Sequence, residues 1–201
     1  MLDTHGQKFL QPALSVIARR CQRLGVSANQ LTLGGLVLGL IAAALVACGL
    51  ATAGIVMLWL SGLLDAADGT LARLTRPSAL GAIMDITVDR VVEVAVILAL
   101  AWRYPEARLT LLVLTATIVV AMSLFLSIGA ALSNETLKSF HYAPGLAERT
   151  EGFICLSLMA LDHARLAWWI WIFIAAIAIT MAQRFVHLRA VLRSTAEAAT
   201  R

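Results

Sequence analysis

Apolar residues in this chain come in long unbroken stretches, without the regular alternation that water-facing elements show. A helix needs about 20 residues to cross the hydrocarbon layer of a membrane, and six stretches reach or approach that length: about 30–50, 52–72, 80–102, 108–132, 147–162 and 166–188. The fifth has the shortest apolar part, Gly152 to Leu161, so it must start among Glu148, Arg149 and Glu151. That predicts a helix whose inner end faces a wet cavity. Ahead of the first stretch, Phe9, Leu10, Ala13, Leu14, Ile17, Cys21 and Leu24 recur at helical spacing, and Pro12 suits a first helical turn. Lys8, Arg19, Arg20 and Arg23 add positive charge there. The segment reads either as an amphipathic helix on an anionic membrane surface or as a helix packed on the bundle from the water side. Gly25 ends it, and Ser27 or Asn29 caps the next helix.

The expected fold is an all-α integral membrane protein with six transmembrane helices and an N-terminal amphipathic interfacial helix. Residues 1–26 form that interfacial helix, 27–192 a membrane catalytic domain and 193–201 a cytoplasmic tail. Composition agrees. Of the 201 residues, 60% are hydrophobic and only 14% charged, and the mean hydropathy is +0.85. A soluble domain carries about 25% charged residues. Lipid must therefore solvate much of this surface. The three cysteines, Cys21, Cys48 and Cys155, have no paired or metal-ligand spacing.

Charge also sets the expected orientation. Lys8, Arg19, Arg20, Arg23, Arg73, Arg76, Lys138, Arg149, Arg184, Arg189, Arg193 and Arg201 fall on one side; Arg103, Arg108 and Arg165 fall on the other. The positive-inside rule then puts both termini in the cytoplasm. The five tryptophans, Trp59, Trp102, Trp168, Trp169 and Trp171, read as interfacial anchors or lipid-facing bulk.

The acidic residues change the picture. Of 12 in the chain, Asp65, Asp68, Asp85, Asp89 and Glu93 lie inside the second and third stretches. Each carboxylate at membrane depth costs about 2.5–3.5 kcal/mol on insertion scales, and only Arg73 and Arg90 are near in sequence to offset them. A divalent cation is the natural partner, because hard cations take carboxylate oxygens. Asp65 and Asp68 share one helix face, which Gly69 and Ala72 continue with little side chain. Gly81, Asp85 and Asp89, four apart, form one line on the next helix. A short turn with Pro77 joins the two helices, which predicts antiparallel neighbours with converging polar faces. Four carboxylates so placed can hold two metal ions, a geometry that clamps a phosphate for in-line displacement. Arg73 suits an anionic pyrophosphate.

These residues resemble the signature of CDP-alcohol phosphatidyltransferases, D-x-x-D-G-x-x-A-R, a spacer, then G-x-x-x-D-x-x-x-D. Asp65, Asp68, Gly69, Ala72, Arg73, Gly81, Asp85 and Asp89 fill every fixed position. Asn29 and Thr32 look like a further family element, Pro-Asn-x-x-Thr/Ser, with Ala28 in the proline's place. The resemblance implies that Asp65, Asp68, Asp85 and Asp89 hold two Mg2+ ions, or Mn2+ in their place. It implies that Asp89 also acts as base, that Gly69, Ala72 and Arg73 line the CDP site with Asn29 and Thr32 nearby, and that Gly81 lets helices approach. The implied reaction moves a phosphatidyl group from CDP-diacylglycerol to an alcohol and releases CMP. The implied assembly is a homodimer; the Ala/Leu/Arg-rich composition points to the inner membrane of a bacterium, with the active site facing the cytoplasm and no nucleic acid among its partners.

For the acceptor, Arg149 at the start of the fifth stretch looks like an arginine that members using inositol phosphate set against the acceptor phosphate, and Arg90 follows the last signature aspartate. Both point to a phosphorylated acceptor such as inositol phosphate or glycerol phosphate. The plainer reading pairs Arg149 with Glu148 or Glu151, and Arg90 with Glu93. Lys138, His141 and Tyr142 lie in the connection before the fifth stretch, with His141 a weak cavity candidate. A membrane divalent-cation channel or transporter would also use embedded aspartates, but it supplies no reason for Gly69, Ala72, Arg73 and Gly81 at these offsets. An intramembrane prenyltransferase would need a longer bundle and two separated aspartate-rich motifs.

Overall fold

The computed structural model describes residues 2–133 and 149–199, so Lys138, His141, Tyr142, Glu148 and Arg201 lie outside the described residues. In chain order the helices are α1 (Leu2–Arg23), α2 (Ala28–Ala47), α3 (Ala51–Leu74), α4 (Ala79–Arg103), α5 (Arg108–Ser133), α6 (Arg149–Leu161) and α7 (Leu166–Ala199). Short 3-10 turns at Pro105–Ala107 and His163–Arg165 lead into α5 and α7. Each of the six apolar stretches is a helix. Four of the candidate spans, Ala28–Ala47, Ala51–Leu74, Pro105–Ala131 and His163–Ala190, are long and apolar enough to cross a membrane. α4 is long enough but carries Asp85, Asp89, Arg90 and Glu93, and the 13 described residues of α6 are too few. Leu98, Trp102, Leu109, Leu112 and Trp168 are each more than 60% exposed, as expected where lipid replaces water.

Local signals fix the helix ends. Gly25 adopts φ +74°, the left-handed conformation that only glycine takes cheaply, and breaks the chain between α1 and α2. Ser27 then caps α2 in a reciprocal box: Gln30 N–H donates to Ser27 Oγ at 3.3 Å, and Ser27 N–H donates to Gln30 Oε1 at 2.8 Å. Ser78 caps α4 by accepting from Gly81 N–H at 3.0 Å. α1 starts ten residues earlier than Pro12 suggested. Proline sits inside that helix, where its missing N–H leaves one carbonyl of the preceding turn without its helical donor.

The packing corrects one expectation. α3 and α4 are not close neighbours; α2 packs extensively on both and stands between them. Small residues make this possible, as they do wherever membrane helices approach closely. A Cβ on Gly39 would lie 2.6 Å from Val92 Cγ1 of α4. A Cβ on Gly54 of α3 would lie 2.7 Å from Val46 Cγ2 and 3.0 Å from the Ala42 carbonyl oxygen of α2. The buried Ser61 hydroxyl ties α3 to α2 by donating to the Gly35 carbonyl at 2.7 Å. α1 packs on α3 from behind. Leu14 and Ala18 meet Leu31, Ala67 and Leu71, so α1 closes the face of α3 that bears Ala67 and Leu71. The larger apolar cluster joins α2–α7, with α5 seated on α7.

Replacing Gly39 or Gly54 with valine should destabilise the detergent-solubilised protein by about 1–3 kcal/mol, the usual effect of overpacking. Unchanged thermal unfolding in both variants would contradict the close packing of α2.

Candidate active site

Asp65 and Asp68 project from the C-terminal half of α3, and Asp85 from the first turns of α4. One carboxylate oxygen from each lies within 4.8 Å of the others. The three come from two helices that α2 holds apart, so the oxygens meet across a gap. α2 also contributes chemistry. The Thr32 hydroxyl donates a hydrogen bond to Asp68 Oδ2, and both residues are buried. Asp65 Oδ1 is buried with no hydrogen-bond partner among the described residues. A carboxylate triad with one fixed member and one open buried oxygen fits a hard divalent cation.

Asp89 lies one turn beyond Asp85 and is reached from α6. Arg149 Nη1 pairs with Asp65 Oδ2, and Arg149 Nη2 lies 2.7 Å from Asp89 Oδ1, off the line of a directed hydrogen bond. Arg149 therefore joins a carboxylate of α3 to one of α4. Glu148, one of the partners anticipated for Arg149, lies outside the described residues; Asp65 and Asp89 are the carboxylates that bind Arg149 into the cluster. Arg90 does take its plain partner, pairing with Glu93 one turn along α4.

The remaining signature residues surround this cluster. Arg73 is exposed and donates to Thr70 Oγ1 at 3.1 Å, with Nη1 3.7 Å from the Cβ that Gly69 lacks. Gly81 faces Asn29: a Cβ there would sit 3.4 Å from Asn29 Oδ1 and 3.1 Å from Ser78 Oγ. The starts of α2 and α4 thus meet at Asn29 and Gly81. Thr32, expected near the nucleotide, holds Asp68 through its hydroxyl. Ala72 stays half-buried on the aspartate side of α3.

Next to the aspartates a cavity of about 370 Å³ opens among α4–α7. Asp85, Asp89, Arg90 and Glu93 form one wall, and Arg149, Gly152 and Phe153 form another, so the inner end of α6 does face a cavity. α7 completes it with Phe173, Ile177, Thr180 and Arg184. Arg184 was read only as a cytoplasmic-side charge. Its signal was present: positions 173, 177, 180 and 184 keep helical spacing, so this arginine continues an inward face. Its guanidinium carbon lies 4.8 Å from the Phe125 ring centroid. Of the tryptophans, Trp59, Trp102, Trp168 and Trp171 are exposed, and Trp59 and Trp169 donate to Ser157 and Asp162 respectively.

Comparison with known proteins gives a consistent picture. The family model for CDP-alcohol phosphatidyltransferases matches residues 25–144. The chain is 31% identical to the inner membrane protein YnjF of Escherichia coli over 82% of this chain and 84% of that protein. It is 30% identical to the archaetidylinositol phosphate synthase of Pyrococcus horikoshii over the same shares. Among solved structures it superimposes on the phosphatidylinositol phosphate synthase of Mycobacterium tuberculosis with CDP-DAG bound at a TM-score of 0.69, with 26% identity, covering 87% of this chain and 92% of that one. A second structure of that enzyme, in complex with manganese and citrate, gives a TM-score of 0.68 at 25% identity, covering 87% and 88%.

Because the Thr32 hydroxyl holds Asp68, Thr32→Val should weaken Mn2+ binding by about 10–100-fold, the usual effect of removing a partner of a metal ligand. Thr32→Ser should restore it. Electron paramagnetic resonance of free Mn2+ reads both, and equal affinity in Thr32→Val would remove Thr32 from this role.

Proposed function

This chain belongs to the CDP-alcohol phosphatidyltransferase family, and on that premise we propose that it joins a CDP-activated lipid to a phosphorylated alcohol. It is a membrane transferase of phospholipid synthesis that takes its lipid from a CDP-lipid. The observation that carries the site reading is the convergence of Asp65, Asp68 and Asp85, with Asp89 beside them. These four aspartates would hold two Mg2+ ions, or Mn2+. Bound there, the cations would neutralise and polarise the pyrophosphate of the donor. The half of the membrane unit that bears Gly69, Ala72, Arg73, Asn29 and Gly81 receives the CDP moiety. Bare backbone at Gly69 allows close approach, and Arg73 offers a charged fork to phosphate.

Asp89 takes the proton of the acceptor hydroxyl. The freed oxygen then bonds to the phosphorus that carries the lipid, and the phosphoanhydride bond to CMP breaks. CMP leaves with that electron pair. The acceptor lies in the cavity among α4–α7, where Arg149 and Arg184 face its phosphate. Arg90, neutralised by Glu93, forms wall more than clamp. Arg149 and Arg184, across the cavity from the Asp85, Asp89, Arg90 and Glu93 wall, favour a phosphorylated acceptor, inositol phosphate or glycerol phosphate, over a neutral one. The cation-channel alternative leaves the glycines and Arg73 of the signature unexplained, whereas family membership accounts for them.

The same reading places residues 27–192 in the membrane as six spans, α4 and α6 crossing with their polar faces on the cavity. Residues 1–26 lie at the interface, 193–201 are the tail, and both termini are cytoplasmic. Charge asymmetry supports that orientation, and the name of the Escherichia coli relative supports an inner membrane. A homodimer is the proposed assembly.

Purified protein in Mg2+ should release CMP from CDP-diacylglycerol with inositol phosphate or glycerol phosphate and not with the unphosphorylated alcohols. CMP release with free inositol alone would refute the acceptor assignment. Asp89→Asn should abolish CMP release, at least about 100-fold for loss of a general base, while CDP-diacylglycerol still binds. Full activity in Asp89→Asn would remove Asp89 from the chemistry.

A further inference from the structure

Arg149 belongs to α6, outside both signature helices, yet its guanidinium reaches one aspartate on each: Asp65 of α3 through Nη1 and Asp89 of α4 through Nη2 at 2.7 Å. The three side chains are only 22%, 12% and 18% exposed, so water screens them little. A guanidinium and a divalent cation seek the same carboxylate oxygens. Asp65 can serve both in part, since Oδ2 faces Arg149 while Oδ1 stays open. Asp89 faces Arg149 through Oδ1.

We propose that Arg149 is a displaceable counter-ion of the aspartate cluster, competing with divalent metal for Asp65 and Asp89 and drawn off them by an anion in the neighbouring cavity. Metal binding and acceptor-phosphate binding then reinforce each other, because each takes away the other's competitor. The inference rests on the metal and acceptor sites of the preceding reading.

The geometry supplies the means. Arg149 lines the cavity together with Arg90 and Arg184, so the guanidinium has a second place to go without moving α6. Its carbon lies 5.3 Å from the Phe153 ring centroid. That ring is itself fixed: a Cβ on Gly62 would stand 2.8 Å from Phe153 Cε2, and Trp59 meets the ring edge-on at 6.1 Å. A rigid platform under a long side chain permits exchange between two anionic partners by side-chain rotation alone. Linkage requires the coupling to be equal in both directions and commonly amounts to about 5–150-fold.

The test is Mn2+ titration of the full chain in detergent, followed by electron paramagnetic resonance, with inorganic phosphate as the anion and protein-free controls for its own binding of Mn2+. In the wild type, phosphate should tighten Mn2+ binding about tenfold. Arg149→Gln should bind Mn2+ about tenfold more tightly than wild type without phosphate, and phosphate should then have no effect. Arg149→Lys, which keeps the charge and loses the fork, should fall between. A merely supporting arginine predicts the opposite sign, weaker Mn2+ binding in Arg149→Gln. That result, or unchanged affinity, overturns the proposal while leaving the metal site intact. A wild type that binds no Mn2+ overturns the metal site as well. Should Arg149→Gln not fold, the phosphate effect in the wild type and its reduction in Arg149→Lys carry the test.

Discussion

Crowded like charge in a poorly screening medium is the condition this structure is built around. Carboxylate oxygens of Asp65, Asp68 and Asp85 lie within 4.8 Å of one another. At an effective dielectric near 20, two unit charges at that distance repel by about 3–4 kcal/mol. Such a cluster persists only where positive charge and hydrogen-bond donors surround it. Thr32 supplies a donor to Asp68, and Arg149 supplies charge to Asp65 and Asp89. The same repulsion gives a reason for the placement of α2. α2, packed on both α3 and α4, sets the distance between the two rows of acids.

The rest of the bundle serves to hold that space open. Glycines on α2 and α3 bring backbones close on the apolar side, so the separation is set by contact and not by loose side chains. α1 presses on the back of α3 at Ala67 and Leu71, residues interleaved with the signature positions. The buried Ala67 and Asp68 are sequence neighbours about 100° apart around one helix, one answering to packing and the other to chemistry. α6 adds its cation from a fourth direction, over an aromatic ring held in a glycine notch.

Much of this was legible in the sequence because it is local. Helix positions follow from apolar stretches, the breaks from Gly25, Ser27 and Ser78, and the shared faces of Asp65 with Asp68 and of Gly81 with Asp85 from helical spacing. The Arg90–Glu93 pair is also local. What escaped depends on residues far apart in the chain. A short turn between α3 and α4 suggested direct contact, but four linking residues allow the helices to diverge, and only tertiary packing inserts α2 between them. The partners of Arg149 escaped for the same reason, since Asp65 and Asp89 lie on other helices. Pro12 misled because a proline can sit within a helix when the surrounding contacts outweigh one lost hydrogen bond. Arg184 needed knowledge of which side of α7 turns inward.

The insertion of α2 has a consequence for how the enzyme comes into being. α2 offers the aspartate cluster a single hydroxyl, yet α4 docks on α2 and touches α3 little. Half-sites on the signature helices therefore have no means of finding each other by themselves. As the chain leaves the ribosome, α2 and α3 can pair first, and the ligand set closes only when α4 takes its place on α2's free flank. A chain cut between α3 and α4 would keep α1–α3 packed together but hold only Asp65 and Asp68 of the ligand set.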